Sequence, residues 1–183
     1  MKRLLILALM AATSAVAWAG ELAGVSMPDS VEVGEESLVL NGMGLRKKAV
    51  IKVYVAGLYL PQKMADAEAI LSADTARRTA MEFRFGVSAE KMCDAWKEGL
   101  EKNTAGASEA LKAKFDQLCG YQENMEKGDM MVYTYVPGQG TEVEVKGEIK
   151  GTIEGKDFAD ALFSCWIGPE PPGESFKQGL LGS

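Results

Sequence analysis

Arginine, lysine and tyrosine occur close together in the otherwise apolar stretch LRKKAVIKVYVAGLYLP, residues 45–61. Arg46 precedes a run of β-branched and aromatic residues that predicts a strand, and Lys52 and Tyr54 lie within that run. Because strand side chains alternate between two faces, we expect Lys52 and Tyr54 to share one face. That face is either solvated, with a snorkelling lysine, or the wall of a ligand cavity. A guanidinium beside such a wall would be a bidentate, permanently charged anchor for a carboxylate or phenolate.

The chain contains no histidine. This excludes the commonest general base, the usual serine-type triad and most catalytic zinc sites. The Gly42-Met43-Gly44 segment is followed by LRKK, so it matches neither a dinucleotide-binding fingerprint nor a phosphate-binding loop, and we predict a turn there. We therefore expect no metal site and no cofactor.

Three cysteines, Cys93, Cys119 and Cys165, are spaced too widely for a metal knuckle or a CxxC redox pair. In an oxidising compartment an odd count suggests one disulfide and one buried thiol. We predict that Cys93 pairs with Cys119, because the two residues fall on consecutive predicted helices that form an antiparallel hairpin. Cys165 is then the buried thiol.

Residues 1–19 have the pattern of a signal peptide: a basic start, an apolar run and a small-residue cleavage pattern, Ala17-Trp18-Ala19. The mature chain, residues 20–183, is then one periplasmic domain, and it contains no transmembrane segment. The full chain has a net charge of −6, and loss of Lys2 and Arg3 would give −6 − 2 = −8. A chain this acidic is not expected to bind nucleic acid.

Hydrophobic patterns predict the other elements. Short strands alternate with turns from residue 24 to 48, and strands follow at 49–60 and 77–86. The predicted helices comprise residues 64–74, a hairpin that begins at Ser88 and ends near Gly120, and a late amphipathic helix that stops at Gly168. A β-meander lies between the hairpin and the late helix. These elements predict an α+β fold, with helices covering one side of an antiparallel sheet.

Three segments resemble the bacterial chalcone isomerase-like proteins. In chain order they are LNGMGLRKKAVIKVYVAGLYLP, VSAEKMCDAWKEGL and GKDFADALFSCWIGPEPPGESFKQGLLG. The first is the most specific, with an arginine, a lysine inside the strand and a closing Gly-Leu-Tyr. The resemblance covers nearly the whole predicted mature chain.

The resemblance implies an open-faced β-sandwich, in which helices cover a large antiparallel sheet and a ligand cleft lies between them. Catalytic plant members close a chalcone to a flavanone by intramolecular conjugate addition, using an arginine, a threonine, a tyrosine, an asparagine and a late-helix hydroxyl. Other members bind fatty acids through the arginine. The asparagine has no secure match here, and Lys91 or Met92 occupies its region.

Position by position, the family arginine matches Arg46 and the lysine matches Lys52. The catalytic threonine falls at Tyr54, and the late-helix hydroxyl falls at Ala159. Because Tyr54 and Ala159 replace residues whose hydroxyl groups help hold the reacting geometry, we expect chalcone cyclisation to be absent or barely above the uncatalysed rate.

Two functions remain open, and a purely structural or envelope-assembly role is a third alternative. The first is a non-catalytic periplasmic binder of a small anionic amphiphile, a fatty acid or a phenolic compound, held by Arg46, Lys52 and Tyr54. The alternative is an isomerase or intramolecular lyase acting on an unsaturated carbonyl substrate. In that case Arg46 would stabilise the oxyanion and Tyr54 would donate a proton.

Overall fold

The structure, a computed structural model, describes residues 18–183. The predicted signal peptide lies outside the described residues except for its last two positions. Within residues 18–183 there are nine strands and five helices. The strands are β1 Trp18–Leu22, β2 Val25–Pro28, β3 Ser30–Val33, β4 Glu36–Lys48, β5 Ile51–Leu60, β6 Arg77–Phe83, β7 Met130–Val136, β8 Gly140–Val145 and β9 Glu148–Ile153. The helices are α1 Ala67–Ser72, α2 Ala89–Asn103, α3 Glu109–Gly120, α4 Lys156–Ile167 and α5 Glu174–Leu180.

Strands β3 to β9 form one antiparallel sheet in which every strand pairs with the next along the chain. One large apolar core lies between this sheet and the helices. A smaller core lies on the other face, where the two-stranded ribbon β1–β2 covers side chains of β4, β5 and β6. The predicted fold, an antiparallel sheet covered by helices in an open-faced β-sandwich, is confirmed.

Helices α2 and α3 form the predicted hairpin. Each begins after a serine whose hydroxyl accepts a hydrogen bond from the backbone three residues on, which satisfies one of the free N–H groups of the first turn. Cys93 on α2 and Cys119 on α3 form a disulfide, with their Cα atoms 4.9 Å apart. The predicted pairing is confirmed, and Cys165 is a buried free thiol.

Helix α4 lies at the centre of the large core. The sequence predicted an amphipathic helix, but nine of its twelve residues are buried. The reason is that the sheet lies on one side, while α1, α2, α3 and α5 all contact the other sides. Exposed polar residues occur only in its first turns, where Lys156, Asp157 and Asp160 are partly or fully exposed, and the later Ser164 is buried.

The chain ends in helix α5, which the sequence did not predict. It packs along β4 at Gly42 and Gly44, which lie inside that strand, so the predicted turn at this segment is wrong. A Cβ atom at Gly42 or Gly44 would collide with the carbonyl oxygens of Gly179 and Phe176. The two glycines therefore let the α5 backbone approach the sheet closely.

Candidate functional site

A β-bulge in β5 decides which side chains reach the helix-covered face. Arg46 of β4 pairs directly with Tyr54 of β5, but the next pair is Lys47 with Lys52, so Val53 has no partner. An extra residue in one strand resets the alternation of side chains beyond it. Tyr54 therefore faces the helices beside Arg46, whereas Lys52 is exposed on the other face. The expectation that Lys52 and Tyr54 share a face is wrong for this reason.

A cleft of about 480 Å³ lies between this end of the sheet, helix α2 and the segment that leads into α5. Its walls carry more apolar than polar surface. The apolar lining residues include Ile51, Val53, Phe85, Val87, Met92, Ala95, Trp96, Pro171 and Pro172. Lys91 and Met92, which the sequence placed near the missing asparagine, both line this cleft.

Arg46 is half-buried at the cleft wall. Its Nη1 donates hydrogen bonds to the carbonyl oxygens of Lys47 and Pro172, the latter at 2.7 Å. Within residues 18–183 no carboxylate oxygen lies within 4 Å of the guanidinium, and Nε and Nη2 donate to no protein group. Arg46 is thus oriented by backbone carbonyls while its charge has no ion-pair partner.

Tyr54 lies next to Arg46 and is 8% exposed. Its ring packs against Phe83 and, edge to face, against Phe176, with centroid distances of 5.7 and 5.8 Å. Burial raises the pKa of the phenol far above its ordinary value, and the nearby Arg46 charge only partly offsets this. The hydroxyl is therefore protonated at neutral pH, and no protein group in the described chain accepts its hydrogen bond.

Cys165 is the residue of α4 that reaches the cleft. It is 5% exposed, and its Sγ donates to the carbonyl oxygen of Ala161 at 3.4 Å. Burial raises the pKa of this thiol to about 12, so it is protonated and a poor nucleophile at neutral pH. Ala159, the position matched to the late-helix hydroxyl, is fully buried in the core and does not line the cleft.

Charged side chains line the rim of the cleft in both signs. Lys102 pairs with Glu98 at 2.6 Å, and this ammonium lowers the pKa of the Glu98 carboxyl. Lys48 and Lys91 also line the cleft, and neither has a carboxylate within 4 Å in the described chain. Asp94 and Glu170 lie on the same rim without an ion pair of their own. Together with Arg46 at the wall, the cleft therefore has three cations and two carboxylates without an ion pair among the described residues.

No group of three or more His, Cys, Asp or Glu residues that could hold a metal ion occurs between residues 18 and 183. No helix in that range is long and apolar enough to cross a membrane.

Sequence reasoning identified Arg46 and Tyr54 but missed three features of the cleft. Pro172, which accepts a hydrogen bond from Arg46, lies in a tail that gave only a proline-rich signal. Trp96 contacts Tyr133 of the sheet and also forms part of the cleft, a second contact that its helical spacing on α2 does not indicate. Val53 was assigned to the opposite face. Its orientation depends on the bulge, which the sequence of β5 does not indicate.

Comparison with known proteins agrees with this architecture. The profile of a family described as chalcone isomerase-like matches residues 19–182. A crystal structure of a fatty-acid binding protein from Arabidopsis thaliana has a similar fold, with a TM-score of 0.72 and 19% sequence identity over 90% of this chain and 96% of that one. No curated protein matches the sequence. With its profile match over nearly the whole described chain, this protein belongs to the chalcone isomerase-like family.

Proposed function

We propose that the protein is a non-catalytic binder of a small anionic amphiphile, with fatty acids as the preferred ligand class. The observation that carries this proposal is the unpaired charge of Arg46 beside a mainly apolar cleft. Two of its guanidinium nitrogens, Nε and Nη2, have no hydrogen-bond partner among residues 18–183 and are in a position to bind a carboxylate in a bidentate fashion.

The cleft suits a ligand with one charged end and an apolar body. Its volume of about 480 Å³ falls in the range of about 300–1,000 Å³ typical of small-molecule pockets. Trp96 and Met92 supply apolar floor, while Ile51 and Phe85 supply the apolar mouth. Lys48 at the rim would add a second, weaker attraction for an anion. The fatty-acid binding protein from Arabidopsis thaliana, which has a similar fold, supports the same class of ligand.

Tyr54 and Cys165, two titratable side chains that line the cleft with Arg46, are not suited to act as bases. The Tyr54 phenol and the Cys165 thiol both keep their protons at neutral pH, because burial raises the pKa of each. Neither is then a general base, and the chain has no histidine to take that role. A ligand carboxylate could accept a hydrogen bond from the Tyr54 hydroxyl in addition to the Arg46 contact.

One observation favours the second candidate function, an isomerase acting on an unsaturated carbonyl. Arg46 and Tyr54 are directly paired across two strands, so an oxyanion stabiliser and a protonated phenol face the same cleft. A chalcone cyclisation assay by absorbance tests this candidate. Enzyme-like turnover that Tyr54→Phe abolishes would replace the binding proposal with a catalytic one.

We place this function in the periplasm. The predicted signal peptide supports export, and the disulfide between Cys93 and Cys119 fits an oxidising compartment. N-terminal sequencing of the exported protein should find a mature chain that begins at Gly20. An intact Met1 terminus on periplasmic protein would contradict the predicted cleavage.

The binding proposal is tested by calorimetric titration with dodecanoate and with the uncharged dodecanol. Arg46→Ala should weaken dodecanoate binding by about 2–4 kcal/mol, because a buried charge-assisted contact is lost. Dodecanol binding should change little. Arg46→Lys should restore dodecanoate binding only in part, since an ammonium cannot reproduce the planar fork.

The matched control for this titration is Lys52→Ala. It removes a cation two positions from Tyr54 in the same strand, but one that faces away from the cleft. It should leave dodecanoate affinity unchanged. Equal affinities of Arg46→Ala and the parent protein for dodecanoate would refute the proposal, and an effect of Lys52→Ala as large as that of Arg46→Ala would refute the geometry.

A further inference from the structure

The tip of the β4–β5 hairpin exposes apolar side chains to an unusual degree. Val50 is 94% exposed and Ile51 is 41% exposed, and Phe85, which lines the same cleft mouth as Ile51, is 52% exposed. These are three of the five large apolar side chains that are exposed within residues 18–183. Such a concentration at one place marks an interaction surface, whereas scattered exposed apolar residues are ordinary.

Basic residues surround this apolar tip. Lys47, Lys48 and Lys52 flank the turn, and all three are exposed. None of them has a carboxylate within 4 Å among the residues that the structure describes. Between Glu36 and Asp66 the chain carries five basic residues and no acidic one, although the whole chain has 26 acidic and 20 basic residues. The hairpin is therefore a local cationic region on an acidic protein.

The tip is short and held by strand pairing. Lys48 pairs with Ile51, so only Ala49 and Val50 form the turn. Lys48 and Ile51 also line the cleft. The apolar and cationic tip is thus continuous with the mouth of the cleft.

From this arrangement we infer that the hairpin tip docks on an anionic phospholipid bilayer. Val50, Ile51 and Phe85 enter the boundary between headgroups and acyl chains, while the lysines bind lipid phosphates. Docking in this way points the mouth of the cleft at the membrane surface. The inference goes beyond the proposed function, because it concerns a membrane surface that the hairpin tip and the cleft mouth would contact, and it holds whatever ligand the cleft takes.

A bilayer fits this surface better than a second protein does. Three exposed apolar side chains are far fewer than the 20–30 residues that each partner contributes to a stable protein interface. Lysine has a long apolar stem and a charged head, which suits the level of the lipid phosphates. On the opposite wall of the cleft, helix α2 carries two acidic residues, Asp94 and Glu98, and two basic ones, Lys91 and Lys102. The charged residues around the hairpin tip are all basic, so the hairpin side is the part expected to face the anionic surface.

Co-sedimentation with vesicles tests the inference. The parent protein should bind vesicles of phosphatidylcholine mixed with phosphatidylglycerol at low ionic strength, and much less at about 0.5 M salt, where charges are screened. It should bind pure phosphatidylcholine weakly. Val50→Asp should reduce binding about 10-fold or more, because it removes an apolar side chain that would be buried in the bilayer and adds a negative charge that the anionic lipid repels. Lys47→Gln with Lys52→Gln should reduce it about 20-fold or more.

Matched controls come from the same chain. Ile149→Asp alters another apolar side chain, 61% exposed, on strand β9. Lys63→Gln with Lys112→Gln makes the same change in net charge at two exposed lysines that neither flank the hairpin turn nor line the cleft. Both control proteins should bind anionic vesicles as the parent does. Val50→Asp should bind dodecanoate with the same affinity as the parent. The proposals of membrane docking and of ligand binding are therefore tested separately.

Three results would overturn the inference. One is a parent protein that does not bind anionic vesicles at low ionic strength. Another is equal loss of binding in the tip variants and in their controls. The third is a lipid-free dimer that Val50→Asp converts to a monomer, since the tip would then be an interface between two copies of the chain.

Discussion

Two arginines lie on the helix-covered face of the same sheet, near opposite ends of its strands, and their surroundings differ in kind. Arg77, at the start of β6, is fully buried. Its Nη1 donates to the carbonyl oxygens of Ile70 and Leu71, at 2.9 and 3.3 Å, and its Nη2 pairs with Asp160. Arg46, at the other end, is half-buried and has no carboxylate partner in the described residues.

The cluster around Arg77 joins three parts of the fold. The guanidinium lies between the rings of Tyr135 and Phe163, 5.0 and 4.9 Å from their centroids. Lys156 also pairs with Asp160, at 2.6 Å. Through these contacts β6, α4 and the end of α1 are fixed to one another. Only Nε of this arginine is buried without a partner among the described residues.

The contrast separates a structural arginine from a ligand-binding one. A buried charge is tolerated when protein groups compensate it, as they do at Arg77. Where the protein leaves a guanidinium without a carboxylate beside an apolar cleft, as at Arg46, an external anion can supply the missing charge. We therefore expect changes at the Arg77 end to alter folding stability and changes at the Arg46 end to alter binding.

The largest effect is expected at Arg77. Arg77→Ala removes the Arg77 hydrogen bond to the Ile70 carbonyl, one of the two donors to the Leu71 carbonyl, and one of the two cations paired with Asp160. The free energy of unfolding should therefore fall by about 3–5 kcal/mol. Urea denaturation measures this change. Arg77→Lys keeps the positive charge but lacks the planar guanidinium with its several donors. Its free energy of unfolding should lie between those of the parent and Arg77→Ala. This variant provides the measurement if Arg77→Ala does not fold.

Arg78→Ala is the matched control for that comparison. Arg78 is the next residue of the same strand, but it is partly exposed and lies 3.8 Å from Glu144. An exposed pair of this kind contributes about 0–1 kcal/mol. Equal losses of stability at Arg77 and Arg78 would show that the buried cluster has no special role.

The next effect concerns the disulfide, which reinforces the Arg46 end by tying α2, the outer wall of the cleft, to α3. Replacing Cys93 and Cys119 with serine should lower the free energy of unfolding by about 3 kcal/mol in the chain-entropy model. Urea denaturation of the oxidised parent and the double variant measures it. The denatured, unreduced parent should titrate with one free thiol, from Cys165, and three thiols would mean that the disulfide does not form in solution.

Much of the architecture could be predicted from local patterns. Alternation in β5 and β6, helical spacing in α2 and α3, and the serines before those helices all depend on a few neighbouring residues. The disulfide could be predicted as well, because a helical hairpin brings Cys93 and Cys119 together. These elements have in common that their causes lie close together in the sequence.

What the sequence did not reveal depends on long-range pairing. The bulge at Val53 arises from the register between β4 and β5, and nothing within β5 distinguishes Val53 from its neighbours. Helix α5 is stabilised by the groove that Gly42 and Gly44 leave along β4. Arg77 did carry a signal that was missed: it shares the parity of Met81 and Phe83, so alternation alone places it on the buried face.

A third prediction uses ligand linkage to sharpen the comparison between the two arginines. Dodecanoate at about 100 times its dissociation constant should raise the free energy of unfolding of the parent by about 2.7 kcal/mol. At the same concentration Arg46→Ala should gain little, because its affinity is lower. Arg77→Lys should be less stable than the parent without ligand, but dodecanoate should raise its free energy of unfolding by nearly the same amount. If Arg77→Lys lost the gain in stability from dodecanoate while Arg46→Ala kept it, the ligand would bind at the Arg77 end and not at the Arg46 end.

The smallest effect concerns pH. Burial raises the pKa of Tyr54 above the value of about 10 that it has in the unfolded chain. Below about pH 9 the phenol is protonated in both states, so it gives no pH dependence to folding. As the pH rises past 10, the unfolded chain loses this proton first, and the free energy of unfolding should fall by up to about 1.4 kcal/mol per pH unit for this one group.

Tyr54→Phe isolates the contribution of Tyr54, because phenylalanine keeps the ring packing and has no proton to lose. Urea denaturation of both proteins at pH 8 and again above pH 10 should show a smaller alkaline loss of stability for the variant. Tyr135→Phe gives the matched test at the Arg77 end, where burial and a hydrogen bond to Asp74 raise the pKa of Tyr135 to about 12. Its alkaline loss should also be reduced, although the lost Asp74 contact lowers stability at every pH. Parallel pH profiles for parent and Tyr54→Phe would mean that Tyr54 titrates as it does in the unfolded chain, and the hydroxyl would then be open to water in the free cleft.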